Sequence, residues 1–323
     1  MRVRFGLDVY SLRSQGWTPA EQLEYCARQG VQVVHFSEIR LLGGLEPNHL
    51  ARVRTRADEL GLLLEIGMRS IAAGSTIFDP SQGSAEDQLV RMIEAAGIVG
   101  SPIVRCIIGR FVDRQGPGGI ESRIAEALDV LRRVRARAID AGVKIAVENH
   151  AGDLQARELK HLVEAAGPDV VGVCIDSGNA LWALDDPHAA LETLAPYVLT
   201  SHIRDGAVWQ TREGIAVAWT RMGEGNVGIA DFVRRYVTHC PGRALSLEII
   251  VPDEPRILNY RDPQFWDGYR EMRAWEFARF LALADAGSPL PRQAPAADPA
   301  TQARRDLQHV EASIQWTKDL LRT

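Results

Sequence analysis

Val143-Lys-Ile-Ala-Val-Glu148-Asn-His150, then a helical pattern from Glu158 to Gly167, then Val170-Val-Gly-Val-Cys-Ile-Asp176-Ser-Gly-Asn179: two short β-branched runs flank an amphipathic segment, and each run ends on an acid. Read outward, the same unit repeats in both directions. Strand candidates are Val3 to Tyr10, Val31 to Ile39, Leu62 to Met68, Ile103 to Ile108, Val143 to Val147, Val170 to Ile175, Val198 to Ile203 and Ala244 to Ile250. Eight strands alternating with helices over most of the chain predict a (β/α)8 TIM barrel, class α/β, rather than an open doubly wound sheet. The Rossmann-like rival lacks its signal, because no GxGxxG follows any of the runs.

The helices between the runs carry recognisable ends. Thr18-Pro19-Ala20-Glu21 opens one with a cap residue, a proline at the first helical position and an acid in the first turn, and Gly30 closes it. Ser84-Ala-Glu-Asp opens another, and Gly118 to Gly142 holds the longest, with Ile120, Ile124, Ala127, Leu128 and Leu131 at helical spacing. Further patterns run over Glu158 to Gly167, Pro187 to Ala195, Ile229 to Cys240 and Asp267 to Ala286. Residues 1–286 therefore read as one barrel domain. Trp209 to Gly225 is too long for a simple loop and reads as a small hairpin or lid over the mouth. Residues 287–300 form a Pro/Ala-rich linker, and 301–323 a C-terminal helix whose Leu307, Val310, Ile314, Trp316 and Leu321 give it an apolar face. That face predicts docking on its own barrel or on a second copy of the chain.

Composition narrows the partners. Hydrophobic residues at 46%, charged residues at 24% and a formal net charge of -5 describe an ordinary globular chain with no field that attracts nucleic acid. The four cysteines, Cys26, Cys106, Cys174 and Cys240, are scattered without a CxxC pair and read as buried thiols in a reducing compartment. No membrane span and no signal-peptide pattern is visible, so the expectation is a cytoplasmic protein with a small-molecule partner.

In a barrel of this kind, residues just past a strand's C-terminal end line the active face. Glu148, Asp176, His202 in Val198-Leu-Thr-Ser-His202 and Glu248 in Ala244-Leu-Ser-Leu-Glu248 are such residues, one from each of strands five to eight. For any one of them a salt-bridged loop residue is an equal reading. Four polar groups at the ends of four successive apolar strands call for a common explanation, and a divalent cation provides it. Three carboxylates and one imidazole suit Mn2+ first, with Mg2+, Co2+ or Zn2+ as alternatives. His150, two residues beyond Glu148 on an extended chain, is expected to face the same pocket. Asn179, Arg204, Asp205 and Glu38 are candidates for holding substrate. Arg105 or Arg110 near strand four could also reach it, although surface or interstrand pairing is the commoner fate of such residues. Trp182, Trp209, Trp219 and Trp266 lie in segments near the mouth and offer stacking faces or ordinary packing.

Val-Glu148-Asn-His, Gly-Val-Cys-Ile-Asp176-Ser-Gly-Asn, His202-Ile-Arg-Asp and Met-Gly-Glu224-Gly-Asn-Val resemble the xylose-isomerase-like TIM barrel family of sugar phosphate isomerases and epimerases. That family includes ketose 3-epimerases, inosose dehydratases and relatives of endonuclease IV. The resemblance implies that Glu148, Asp176, His202 and Glu248 are metal ligands, and that Glu148 and Glu248 take and return protons on opposite faces of a keto-sugar. Two departures stand out. Asn179 replaces the histidine that ketose epimerases commonly carry after Asp-x-Gly, and the Glu-Asn-His150 cluster resembles barrels acting on 3-keto-glycosides, including C-glycoside deglycosidases. In those His150 would be the base of a β-elimination; as a neighbour of the metal it would only support a ligand. The resemblance therefore implies an isomerase or epimerase, with a lyase as the alternative. The nucleic-acid branch fits poorly, since it needs more histidines and a basic surface, and a non-catalytic sugar-binding barrel would have no use for an intact ligand set.

Overall fold

The structure, a computed structural model, describes residues 3–291 and 294–322. Met1 and Arg2 ahead of the first expected strand, Arg292 and Gln293 of the expected linker, and Thr323 at the end of the expected C-terminal helix lie outside the described residues. Among the described residues eleven strands are formed: β1 Arg4–Asp8, β2 Val33–Phe36, β3 Leu63–Ser70, β4 Ile103–Ile107, β5 Lys144–Glu148, β6 Val171–Asp176, β7 Val198–His202, β8 Asp205–Gln210, β9 Ile215–Thr220, β10 Ala244–Leu247 and β11 Arg256–Leu258. Eight of them form one parallel sheet in the order β10-β1-β2-β3-β4-β5-β6-β7. A parallel bridge between Ile203 and Leu247 joins its two ends, with Ile203 N–H donating to the Ser246 carbonyl at 2.7 Å and Glu248 N–H to the Ile203 carbonyl at 3.1 Å. The circle is a TIM barrel, as the alternation predicts.

Helices cover the outside, and their ends follow the cap chemistry read from the sequence. Thr18 and Glu21 form a reciprocal capping box at Pro19–Arg28, and Ser84 caps Ala85–Val99 through the Asp87 N–H. The short helices Ile39–Leu42 and Ser177–Trp182 and one long helix, Pro47–Glu59, were not among the sequence expectations. The apolar stripe of Pro47–Glu59 is only Leu50, Val53 and Ala57, all buried, but Pro47 at the first turn and the three-then-four spacing mark it. The expected helix from Asp267 starts later, at Ala274, because Pro263–Gly268 coils into a 3-10 turn under the Asp262 cap.

Inside the barrel, side-chain alternation lifts the polar groups into one layer. Ile103, Ala146, Cys174 and Leu199 make a small apolar cluster apart from the main core. Arg105, Glu148 and Asp176 stand two residues beyond Ile103, Ala146 and Cys174 on the same strands, hence on the same face and one layer nearer the C-terminal mouth.

Over that mouth, β8 and β9 pair antiparallel, and β11 adds to the far side of β9. The expected hairpin is present, beginning at Asp205, and β11 is a third strand that its three-residue length hid. The C-terminal helix Pro299–Arg322 docks on its own barrel: Val310 and Ile314 are buried, Ser313 Oγ accepts from the Met222 N–H at 3.2 Å, and Gln15 Nε2 donates to the Ala303 carbonyl at 2.7 Å. No helix among the described residues is long and apolar enough to cross a membrane.

Candidate metal centre

Glu148, Asp176, His202 and Glu248 meet. One ligand atom from each, all buried, lies within 4.8 Å of every other. An ion with bonds of about 2.1 Å holds its ligands roughly 3 to 4 Å apart, so small movements bring the four around one cation. His202 Nδ1 points into the group, 3.0 Å from Glu148 Oε2 and 3.4 Å from Glu248 Oε2, and among the described residues it makes no regular hydrogen bond. Three converging carboxylates and an orphaned imidazole nitrogen, all out of water, form a group that could hold a divalent metal. Cys174 Sγ lies 3.8 Å from Glu148 Oε2, but burial pushes its thiol well above the usual range, and a protonated thiol is a poor ligand.

The surrounding groups hold these ligands in place. Arg105 Nε donates to Glu148 Oε2 at 2.5 Å and Asn179 Nδ2 to Glu148 Oε1 at 3.0 Å and Asp176 Oδ2 at 2.8 Å. Arg204 bonds both Asp176 and Glu248, reaching them across Gly178, where a Cβ would meet the Arg204 Cγ at 2.2 Å. Burial raises all three acids, and the cations offset it unevenly. Arg105 and His202 hold Glu148 well below the usual carboxylate range, Arg204 and His202 hold Glu248 at about 2, and Asp176, repelled by both glutamates, is pushed up to about 7.

Behind His202 sits a set of residues that strand-end reading passed over. His202 Nε2 lies 2.9 Å from His35 Nδ1 and 3.4 Å from Asp8 Oδ2, and Glu65 lies 3.7 Å from His35 and accepts from Thr200 Oγ1 at 2.6 Å. When Nδ1 faces a metal, Nε2 bears the ring proton, and Asp8 or His35 accepts it; such partners fix the tautomer and orientation of a ligating histidine. Asp8, the last residue of β1, and His35 on β2 could have been found as polar residues inside strands buried on both faces.

Each remaining candidate has its place. Asn179 and Arg204 join the ligand group and line the cavity above it, of about 490 Å³. Glu38 is on the rim of that cavity, paired with Arg40. Asp205, expected to bind substrate, is enclosed instead: its Oδ2 accepts from the Gly223 and Gly225 N–H groups at 2.9 Å each and its Oδ1 from Gly206 at 2.7 Å. Met222-Gly-Glu224-Gly-Asn-Val is therefore a folding device, in which Gly225 packs so near Gly206 that a Cβ would meet its carbonyl at 2.1 Å. His150 lines the cavity with its backbone N–H on Asp153 and its Nδ1 2.9 Å from the Gly109 carbonyl. A carbonyl only accepts, so Nδ1 carries the proton and Nε2 keeps its lone pair. Burial lowers the His150 pKa, with Glu148 opposing. Trp182 and Trp219 stack at 4.4 Å and both line the cavity, whereas Trp266 packs against Phe277 and Tyr269. Trp209 belongs to a larger cavity, of about 670 Å³, on the other side of the hairpin, which contains none of the four ligands.

A family model described as xylose isomerase-like TIM barrel matches residues 23–266. Among curated proteins, 3-oxo-isoapionate decarboxylase of Pectobacterium atrosepticum is 27% identical over 209 residues, 62% of this chain and 68% of that protein. Among solved structures, D-psicose 3-epimerase from Clostridium cellulolyticum H10 with D-tagatose superposes with a TM-score of 0.65 at 13% identity, over 99% of each chain. The IOLI protein with a bound zinc atom has a TM-score of 0.59 at 14% identity, over 87% of this chain and 97% of its own.

Proposed function

This chain belongs to the xylose isomerase-like TIM barrel family, and from that premise we propose that it is a divalent-metal-dependent isomerase or epimerase of a keto-sugar or sugar derivative. The observation carrying the proposal is the convergence of three carboxylate oxygens and one imidazole nitrogen within 4.8 Å, beneath a cavity of about 490 Å³, a size suited to a small polyol. Glu148, Asp176, His202 and Glu248 would hold the ion, which when bound polarises a carbonyl and acidifies the hydrogen on the adjacent carbon. Mn2+ is the proposed ion on the oxygen-rich donor set.

The chain's own residues then move the proton. Glu248 lines the cavity and is gripped through Oε2 by Arg204; no described residue donates to Oε1, which is the oxygen left to take a proton from one face of a substrate. Glu148, clamped by Arg105 and Asn179, is the acid or base of the opposite face. The Trp182–Trp219 stack lines the cavity by its edges, its outer faces being covered by the Arg204 and Arg256 guanidiniums, and so fixes Arg204 beside the acids. The names of the relatives support this first step, since a ketose epimerase and a 3-oxo acid decarboxylase both build negative charge beside a carbonyl. Purified protein incubated with Mn2+ and a panel of ketoses and keto-sugars in D2O should exchange an α-proton, and chelation should abolish the exchange. Absence of exchange with every ketone, on metal-loaded protein, would sink the proposal.

A second reading, a lyase, has one observation in its favour: the His150 tautomer leaves Nε2 bare in the cavity. If His150 is the base of an elimination, His150→Ala keeps its metal and loses on the order of 100-fold or more in rate, with an enone product absorbing in the ultraviolet. If Glu148 and Glu248 are the bases, the same variant retains most of its exchange rate.

A further inference from the structure

The four candidate ligands all belong to one half of the barrel, the ends of β5, β6, β7 and β10. The opposite half of the mouth carries three arginines that the proton-transfer reading leaves unused. Arg13 follows β1, Arg69 is near the end of β3 and Arg110 follows β4, and all three line the cavity that contains Glu248 and His150. Among the described residues none of the three guanidiniums forms an ion pair with a carboxylate, the nearest acids being Asp113, which accepts from the Arg110 backbone N–H at 2.9 Å and from Thr76 Oγ1 at 3.2 Å, and Asp79, whose carboxyl pKa Arg69 helps to lower. Neutral groups position two of them: Arg13 Nη1 donates to the Tyr10 carbonyl at 3.0 Å with its guanidinium over the Tyr10 ring, and Arg110 Nε donates to Thr76 Oγ1 at 3.2 Å. The rim acid on that side, Glu38, is already paired with Arg40.

Charge makes the asymmetry sharper. In the ligand half, Arg105 and Arg204 are matched by Glu148, Asp176 and Glu248, and a divalent ion there would tip that half to a slight positive charge. Three guanidiniums without an ion-pair partner face one cavity. Arg69 and Arg110 are exposed, and Arg13 and Arg110 are only partly engaged by neutral groups, so several donors are left for an anion, whose charge would relieve their mutual repulsion. A net negative chain has no general surplus of cations to place there.

We propose that the substrate is an anionic keto-sugar, its carbonyl end at the four ligands and a carboxylate or phosphate at its other end held by Arg13, Arg69 and Arg110. The inference rests on the proton-transfer reading for the orientation of the carbonyl. The anion site itself stands on the arginines alone.

The test compares substrates of one carbon skeleton on the full-length, Mn2+-loaded protein: a neutral ketose, the corresponding 3-keto-aldonate and the corresponding ketose phosphate. α-Proton exchange in D2O is followed by proton NMR, and binding of an aldonate, an alditol phosphate and the uncharged alditol by calorimetry. Exchange should be faster on one of the anionic ketones by about 10-fold or more in kcat/KM, and the preferred member tells carboxylate from phosphate. Arg69→Ala and Arg110→Ala should each raise KM for that substrate and collapse its preference over the neutral ketose. Arg234→Ala, exposed on helix Ile229–His239, serves as the control without effect. Anion binding that depends on Arg69 and Arg110 without exchange on any ketone would sustain the anion site and overturn the proton-transfer reading. Equal exchange on neutral and anionic ketones, or anion binding indifferent to the arginines, would overturn the anion site and leave proton transfer standing.

Discussion

At the scale of residues, Asp8 shows how a polar group away from the obvious motif is bound into the site. It is fully buried, its Oδ1 accepts from the Tyr10 N–H at 3.0 Å, and its Oδ2 has no hydrogen bond from a described residue but lies 3.4 Å from His202 Nε2. Such an oxygen is costly unless a proton on Nε2 faces it, which is the tautomer a ligating Nδ1 requires. Asp8→Asn should therefore weaken metal affinity by roughly 10- to 100-fold while the circular dichroism spectrum stays native; unchanged affinity by metal titration would remove Asp8 from the site. The cysteines give a second test. All four are buried, as their apolar contexts implied, and burial pushes the Cys26 and Cys106 thiols up to about 12. At pH 8 both stay protonated and covered, so Ellman's reagent should react slowly with the native protein and at once with all four thiols in denaturant. Which four polar side chains converge at the mouth was legible, because strand ends in this fold are marked by where apolar runs stop. Asp205 was misread for the same reason: it also follows an apolar run, and only the fold shows the Gly223 and Gly225 amides turned onto it.

At the scale of elements, the C-terminal helix was visible as a stripe of Val310 and Ile314, but a stripe does not name its partner. The partner is the barrel beside the Val9–Gln15 turn and the Met222 loop. Ile314 is only 1% exposed, so Ile314→Ala should cost about 2–5 kcal/mol, read as a lower urea midpoint with unchanged slope. A helix that merely hung from the linker would show no such loss. The hairpin depends instead on close backbone approach. Gly225→Ala, which puts a methyl 2.1 Å from the Gly206 carbonyl, should loosen the Asp205 clamp and expose Trp219, seen as a red shift in tryptophan emission. Helix Pro47–Glu59 escaped notice because its few apolar residues give periodicity little to count, whereas cap residues made the ends of its neighbours plain.

At the scale of the whole molecule, three carboxylates buried at one point repel one another, and the proposed cation would stabilise the fold by offsetting that repulsion. A ligand that binds only the folded state at 100 times its dissociation constant adds about 2.7 kcal/mol. Saturating Mn2+ should raise Tm by several degrees in the parent chain and by far less in Asp176→Ala, by differential scanning calorimetry; equal shifts in both would place the ion elsewhere. Alternation of runs and helices, cap residues and apolar stripes determined by themselves that the chain is an eight-stranded parallel barrel and that four polar side chains stand at its mouth, because periodicity and strand ends are local properties of the chain. Tertiary structure alone decided which groups share the cavity. Asp8 and His35 meet His202 across more than 160 positions, Arg105 meets Glu148, and Arg13, Arg69 and Arg110 collect on one side of a chain whose net charge is negative. Contacts of that range are set by closure of the barrel, which brings β1 beside β10 and β7 beside β10, and no local pattern encodes them.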